Sequence, residues 1–371
     1  MTPNIFFSRR IRKTPFEDRV YEQGVKGFTV YNQMPLATSY TTVEDDYWHL
    51  REHVQLWDVA CERQVEVRGP DALKLIQLST PRDISKCAIG QCVYAPLCDE
   101  DGGIVNDPLL LRFADDHFWV SIADSGVLLW LKGLAAGLSL DVEVSDPDIG
   151  PCALQGPKAD AVMQSLLDID VHTIKFFRFV EVELAGVAVV VARSGWSGQG
   201  GYEIYLKNAS HGLALWDAIW EAGEAHDIRA GCPNLIERIE SGLLSYGNDM
   251  TNDNNIFECG LDRFITLGKQ ADYLSREALD KISRDGTTIK LVNLEFDGGP
   301  TPPLRATWPV YAGDEQAGIL TSAAWSPRLE RNIAFASVGI EYANTGQALG
   351  VKPAGEPATR EATVVPPWRG S

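Results

Sequence analysis

Glu240-Ser241-Gly242-Leu243-Leu244-Ser245-Tyr246-Gly247-Asn248-Asp249-Met250 is the stretch on which the reading of this chain turns. Residues 237–244 read as a helix, and Tyr246-Gly247-Asn248-Asp249 breaks it, with Gly247 as a C-cap and Asn248 and Asp249 as turn formers. Two earlier segments share its character: Asp101-Gly102-Gly103-Ile104-Val105-Asn106-Asp107 and Arg193-Ser194-Gly195-Trp196-Ser197-Gly198-Gln199-Gly200-Gly201-Tyr202-Glu203-Ile204-Tyr205. Each is a glycine-rich turn with one or two carboxylates beside it. Glycine lets a backbone come close to a flat ligand, and a carboxylate in that setting accepts hydrogen bonds from a ring that carries N–H groups.

Bulk properties bound what surrounds these turns. The chain has 371 residues, 45% of them hydrophobic, which suits a soluble globular protein of two or three domains. A formal charge of -18 disfavours nucleic acid and anionic membrane as partners. No apolar run approaches the roughly 20 residues that span a bilayer. The 7 cysteines are scattered, with no Cys-x-x-Cys pair, and read as thiols of a reducing compartment, which makes the cytoplasm the expected location. Residues 1–16 carry Arg9, Arg10, Arg12 and Lys13 and no acid. Pro3 and Pro15 leave little room for an amphipathic targeting helix, so this segment reads as a solvated basic arm of the mature protein.

Periodicity predicts a helix over 44–57, where Tyr47, Leu50, Val54 and Trp57 recur at helical spacing behind Glu44, Asp45 and Asp46. Strands are expected at 64–68, 109–113, 118–122 and 152–155, and helices from Gly69-Pro70-Asp71 to residue 78, over 127–138 and over 159–167. Val67-Arg68-Gly69-Pro70-Asp71-Ala72 and Leu154-Gln155-Gly156-Pro157-Lys158-Ala159 both read strand, Gly-Pro, helix, which a duplicated α+β unit would explain. Beyond Asp285-Gly286 strands dominate, at 289–296, 308–311, 318–321 and 333–340, the profile of a small all-β barrel or sandwich.

Taken alone, Asp107 reads as an Asx-turn or cap, and Tyr94 as a packed strand aromatic. If 200–206 is a strand, Tyr202, Ile204 and Leu206 share one face, while Glu203 and Tyr205 share the other. A carboxylate beside an aromatic suits a pterin, whose edge offers two adjacent N–H donors and whose face stacks; an ordinary hairpin explains the segment equally well. The spacing Gly195-x-x-Gly198-x-Gly200 is not the dinucleotide-binding order, and no ribose-binding acid follows it. His49-Leu50-Arg51-Glu52-His53 matches a zinc motif of five residues, a pattern that arises readily by chance, so no metal is expected.

In this order the three turns resemble the folate-binding signature of the aminomethyltransferase (glycine-cleavage T-protein) superfamily. Arg10-Ile11-Arg12-Lys13-Thr14-Pro15-Phe16, Val30-Tyr31-Asn32 and Gly231-Cys232-Pro233-Asn234-Leu235-Ile236-Glu237-Arg238-Ile239-Glu240 point to its tetrahydrofolate-dependent demethylase branch. The resemblance implies an α+β fold of three domains: two α+β lobes over residues 1–284 and a C-terminal β-barrel over 285–371, around a central folate site. It makes Asp107 the principal catalytic residue, with Tyr94, Trp196, Glu203 and Tyr205 also at the folate. Tyr31, Trp196 and Gly198 would face the methyl donor. The implied partners are tetrahydrofolate and a small methyl donor; no oligomeric state follows. A glycine-cleavage activity, which needs a lipoyl carrier protein, and a non-catalytic folate binder are the alternatives.

Enzymes of that branch acting on dimethylsulfoniopropionate typically carry Lys in Trp-Ser-Lys-Gln-Gly-Gly and Met-Leu-Leu-Pro after Tyr-Asn. Here Gly198 and Met34-Pro35-Leu36-Ala37 stand instead. Whole-chain similarity favours the sulfonium, whereas these departures tilt the expectation towards a flatter aryl methyl ether such as a methoxybenzoate (dicamba-like) acid. In that case Tyr31 or a histidine such as His53 would assist the departing oxygen.

Overall fold

The two strand–Gly-Pro–helix units each head a separate layer. The computed structural model describes residues 8–266 and 272–368; the first seven residues of the basic arm fall outside them. In the first unit, strand Gln64–Arg68 leads through Gly69-Pro70 into helix Ala72–Ser79, and in the second, strand Gly150–Gln155 leads through Gly156-Pro157 into helix Ala159–Leu166. Both glycines have positive φ, +137° and +123°, and a Cβ on either would sit 2.7 Å from the Asp141 carbonyl or 2.4 Å from that of His53. The repeated dipeptide thus marks two places where chain crosses chain too closely for a side chain.

Around the first unit lies an antiparallel five-stranded sheet, in the order Glu143–Ser145, Gln64–Arg68, His117–Ser121, Leu109–Ala114, Gln91–Tyr94. Helices Ala72–Ser79 and Val127–Gly137 bury Leu75, Ile76, Val127 and Leu131 against its outer face. The second unit belongs to a six-stranded sheet, in the order Phe179–Leu184, Val187–Ala192, Gly201–Leu206, Gly150–Gln155, Val54–Asp58, Ile228–Gly231, antiparallel except for the last pair. Tyr202, Ile204 and Leu206 pack towards helices Ala159–Leu166 and Gly212–Gly223, while Tyr205 joins Trp119, Leu111 and Cys92 in the core between the sheets. The alternation expected for this strand is observed.

From Ile289 the chain closes a six-stranded barrel, in the order Ile289–Phe296, Arg331–Gly339, Glu315–Ser326, Trp308–Ala312, Ala348–Val351, Arg360–Val365. The last two strands carry no strong sequence signal. Strand Glu315–Ser326 is longer than expected because it bends through a register shift between Leu320 and Ser322.

Two expected helices are shortened. The helix expected over 44–57 stops at Glu52, and Val54–Asp58 is a fully buried strand inside the second sheet. His53, at φ −131° and ψ −135°, breaks the helix. The helical spacing was a coincidence of two elements, since Val54 and Trp57 lie on the strand while Tyr47 and Leu50 lie on the helix. Sheet pairing outweighs a weak local preference. Likewise the helix expected over 237–244 is Leu235–Glu240, ended by Gly242 at φ +68°. All seven cysteines are buried and free, and among the described residues no helix is long and apolar enough to cross a membrane. Arg12 of the basic arm is not merely solvated: its guanidinium pairs with Asp146 at 3.0 Å.

Candidate active site

A cavity of about 1100 Å³ opens between the two lobes and the barrel. Of the residues singled out in the sequence, Tyr31, Tyr94, Asp107, Trp196, Gly198 and Glu203 line it. Tyr205 does not; it lies behind the wall, fully buried, and its hydroxyl donates to Glu203 at 3.2 Å.

Asp107 is aimed by the glycine turn that precedes it. Asp99 caps the turn, accepting from the Gly103 and Asp101 backbone N–H groups at 2.8 and 3.1 Å. Gly103 presses on the segment after the decisive stretch: a Cβ there would stand 2.4 Å from the Asn252 carbonyl. The Ile104 N–H donates to the Asn254 carbonyl at 2.9 Å, and the Tyr246 hydroxyl donates to the Ile104 carbonyl at 3.0 Å. The first and third glycine segments are therefore one packed unit. The Tyr94 hydroxyl donates to Asp107 Oδ2 at 3.0 Å. Burial pushes the Asp107 carboxyl up to about 7, with the Tyr94 hydrogen bond opposing the rise.

Glu203 sits mid-strand and is only 8% exposed. Its Oε2 accepts from Ser194 and Tyr205 hydroxyls, leaving Oε1 without a hydrogen-bond partner among the described residues. Burial raises its pKa too. The loop before it is pinned by Gln155, whose amide donates to the Ser194 carbonyl at 3.2 Å and accepts from Ser197 at 2.6 Å. Gly195, at φ +152°, has no room for a Cβ beside that amide. Trp196 is backed by the Arg238 guanidinium, 5.8 Å from its ring centre, and Arg238 is paired with buried Asp249 at 2.8 Å. Tyr31 is presented by a tight hairpin whose central residues, Asn32 and Gln33, have φ of 48° and 63°.

Beyond the residues singled out in the sequence as site residues, Glu62, Asp124, Glu237 and Glu240 also line the cavity. Burial together with the charges of Glu203 and Asp107 pushes the pKa of Glu62 up to about 8. It follows a buried cysteine in a loop with no motif, so no local signal marked it. Elsewhere on the wall Arg51 pairs with Glu237 at 3.0 Å. Glu240 gathers the hydroxyls of Tyr47 and Ser326 and the guanidinium of Arg328, at 2.5 to 3.1 Å. Arg328 and Trp368 bring the barrel region into the wall.

Two expectations change here. Gly198 has φ +69°, and a Cβ there would meet Ser241 Oγ at 2.2 Å and Glu237 Oε1 at 3.2 Å. The space its missing side chain leaves is already filled, so it opens no room for an aromatic ring; Pro35 is buried and off the cavity wall. No histidine is among the lining residues, and His53 contacts Lys158 at 2.8 Å instead. The His49 and His53 rings stack 4.9 Å apart instead of converging on a point. His49 Nε2 is engaged by the Asp227 carbonyl at 2.9 Å, and burial draws His49 down to about 4.

Similarity to known proteins extends over most of the chain. The GCVT N-terminal domain family matches residues 16–269, and the glycine cleavage T-protein C-terminal barrel domain matches residues 290–368. Dimethylsulfoniopropionate demethylase DmdA of Ruegeria pomeroyi is 46% identical over 349 residues, which are 94% of this chain and 95% of that protein. An aminomethyltransferase of Listeria welshimeri is 32% identical over 342 residues, 91% and 93% of the two chains. The crystal structure of glycine cleavage system aminomethyltransferase T from Bartonella henselae superposes with a TM-score of 0.86 over 96% of this chain and 98% of that one, at 23% identity.

Proposed function

The chain belongs to the glycine-cleavage T-protein (aminomethyltransferase) family, and on that premise we propose that it is a tetrahydrofolate-dependent demethylase, moving a methyl group from a small methylated carboxylic acid to tetrahydrofolate. One observation carries this reading: two carboxylates, half-buried Asp107 and buried Glu203, are held by hydroxyl donors on the wall of one cavity of about 1100 Å³. Ligand pockets commonly run from about 300 to 1,000 Å³, so this one has room for a folate and a second small reactant.

The residues fit a folate. The free Oε1 of Glu203 suits the adjacent N–H donors of a pterin edge, and Tyr31 and Trp196 offer flat faces. Bound tetrahydrofolate supplies the ring nitrogen that takes the methyl group. Glu203 grips the pterin, and Tyr205 and Ser194 fix the carboxylate that does so. Asp107, oriented by Tyr94, accepts the proton that the nitrogen sheds. Its raised pKa suits a base that works near neutrality. Most of the rate gain comes from holding both reactants at contact distance.

A sulfonium such as dimethylsulfoniopropionate is the donor we favour over an aryl ether. Three mutually interacting carboxylates, Glu62, Asp107 and Glu203, line the cavity, and a departing phenolate needs a donor or cation beside it, whereas a sulfonium leaves as a neutral thioether. The 46% identity to the Ruegeria enzyme supports the same choice. The test is direct. Enzyme, tetrahydrofolate and each candidate donor are mixed, and 5-methyltetrahydrofolate is measured by liquid chromatography. Product from the sulfonium is expected. Product from no methylated sulfonium, ammonium or aryl ether, with aminomethyl exchange from a lipoyl carrier protein instead, would replace this reading with glycine cleavage. Tetrahydrofolate binding without any transfer would leave a folate-binding protein.

A further inference from the structure

Glu62 differs from Asp107 and Glu203 in having nothing to hold it. Asp107 has Tyr94, and Glu203 has Ser194 and Tyr205. The Glu62 side chain is half-buried in the same wall, and no residue among those described gives it a hydrogen bond or ion pair. It faces both other carboxylates closely enough for each to act on its charge, and it acts in turn on Tyr31. The arginines that reach the cavity do not offset this. Arg51 and Arg328 are paired with Glu237 and Glu240 and Arg193 with Asp160, while Arg263, packed on the Phe264 ring, acts on Tyr94 and not on Glu62. A carboxylate partly withdrawn from water and facing two others favours either a proton or a nearby cation.

Building on the demethylase reading, we propose that Glu62 is the counter-ion for a positively charged methyl donor, which it receives beside the Tyr31 ring. The substrate class is then an onium compound, a sulfonium or a quaternary ammonium. A carboxylate attracts such a centre by charge, and an aromatic face attracts it through its quadrupole. The arrangement also accounts for product departure. The carbon–sulfur bond breaks with its electron pair kept by sulfur, the methyl carbon bonds to the acceptor nitrogen, and that nitrogen's proton passes to Asp107. The donor's positive charge vanishes as the proton arrives, so the acid cluster stays balanced. Glu62 no longer holds the neutral thioether.

Calorimetry on the full chain tests this, with folic acid present as a non-reacting occupant of the folate site. The probes are dimethylsulfoniopropionate and 4-methylpentanoate, which has the same shape with a neutral CH in place of S⁺. The wild type is expected to bind the sulfonium at least tenfold more tightly than its neutral counterpart. Glu62→Gln is expected to bring the two within about twofold, and Glu62→Asp to keep an intermediate preference. A folic acid affinity within threefold of wild type shows that each variant keeps its cavity. A tenfold preference that survives Glu62→Gln overturns the proposal, as does a wild type without preference. The demethylase reading fails separately: charge preference dependent on Glu62, with no 5-methyltetrahydrofolate from any donor, would keep the counter-ion and discard the reaction.

Discussion

Replacing Tyr94 by Phe removes one hydroxyl whose consequences can be worked out from the site. That hydroxyl donates to Asp107 at 3.0 Å and favours the ionised carboxylate, which burial otherwise disfavours. With Asp107 at about 7, roughly half the molecules carry it ionised at pH 7, the form the proposed proton transfer requires. A hydrogen bond to a charged group is worth about 1.5 to 3 kcal/mol, and one pKa unit corresponds to about 1.4 kcal/mol. Tyr94→Phe should therefore raise Asp107 by about one to two units. The ionised fraction at pH 7 then falls from about a half to between about a tenth and a hundredth, so kcat drops about 5- to 50-fold there. At pH 9 most of the loss is recovered, to within about twofold. The assay is a pH profile of kcat for 5-methyltetrahydrofolate formation, wild type against Tyr94→Phe, between pH 5.5 and 9.5. An acid limb that stays in place while kcat falls equally at every pH would refute the reasoning, because it would mean that Tyr94 acts by shape and not on the Asp107 proton.

Other expectations follow from the same packing. Asp58 is buried, holds Thr14, and is pushed up to about 7. A carboxyl raised in the folded state binds more protons there than in the unfolded chain between about pH 4 and 7, so its contribution to stability falls as pH rises through that window. Asp58→Asn should then raise the melting temperature relative to wild type at pH 8 by a few degrees, with little change at pH 4; equal shifts at both pH values would contradict this. Arg238→Met leaves buried Asp249 without its counter-ion, though still bonded by Ser245, Thr321 and Ser322, a loss of up to about 3 to 5 kcal/mol that should lower the melting temperature by several degrees and, on the proposed reading, weaken folate binding by removing the support of Trp196. Thermal scans and a folate titration check both effects. Gly103→Ala forces a Cβ towards the Asn252 carbonyl and should cut kcat at least tenfold by tilting Asp107, whereas Gly126→Ala, with open space around it, should leave kcat unchanged. Gly198→Lys should cost about 1 to 2 kcal/mol through its left-handed backbone and the Ser241 contact, measurable as a fall in melting temperature.

By itself the sequence determined a good deal. Glycines that cannot be replaced announce themselves: Gly69 and Gly156 mark the two lobes, and Gly102-Gly103 and Gly195 mark the turns that carry Asp107 and Glu203 to the cavity. Alternation placed Glu203 and Tyr205 on one face of their strand, and the change of period after Asp285 announced the barrel. These signals are local, since each depends on backbone conformation or side-chain direction within a few residues.

Only the tertiary structure decided the rest. Val54–Asp58 became a strand because sheet neighbours on both sides take its backbone hydrogen bonds, which no periodicity count reveals. Tyr205 shares a strand face with Glu203, yet the inter-sheet core covers it and leaves it to support the carboxylate. Gly198 looked like room for a substrate until Ser241 and Glu237, some forty residues away in sequence, were found filling that room. Glu62 carries no motif, and its meaning comes from two acids 45 and 141 residues further on that share its cavity. Burial and charge repulsion are properties of that assembled wall, and sequence spacing does not encode them.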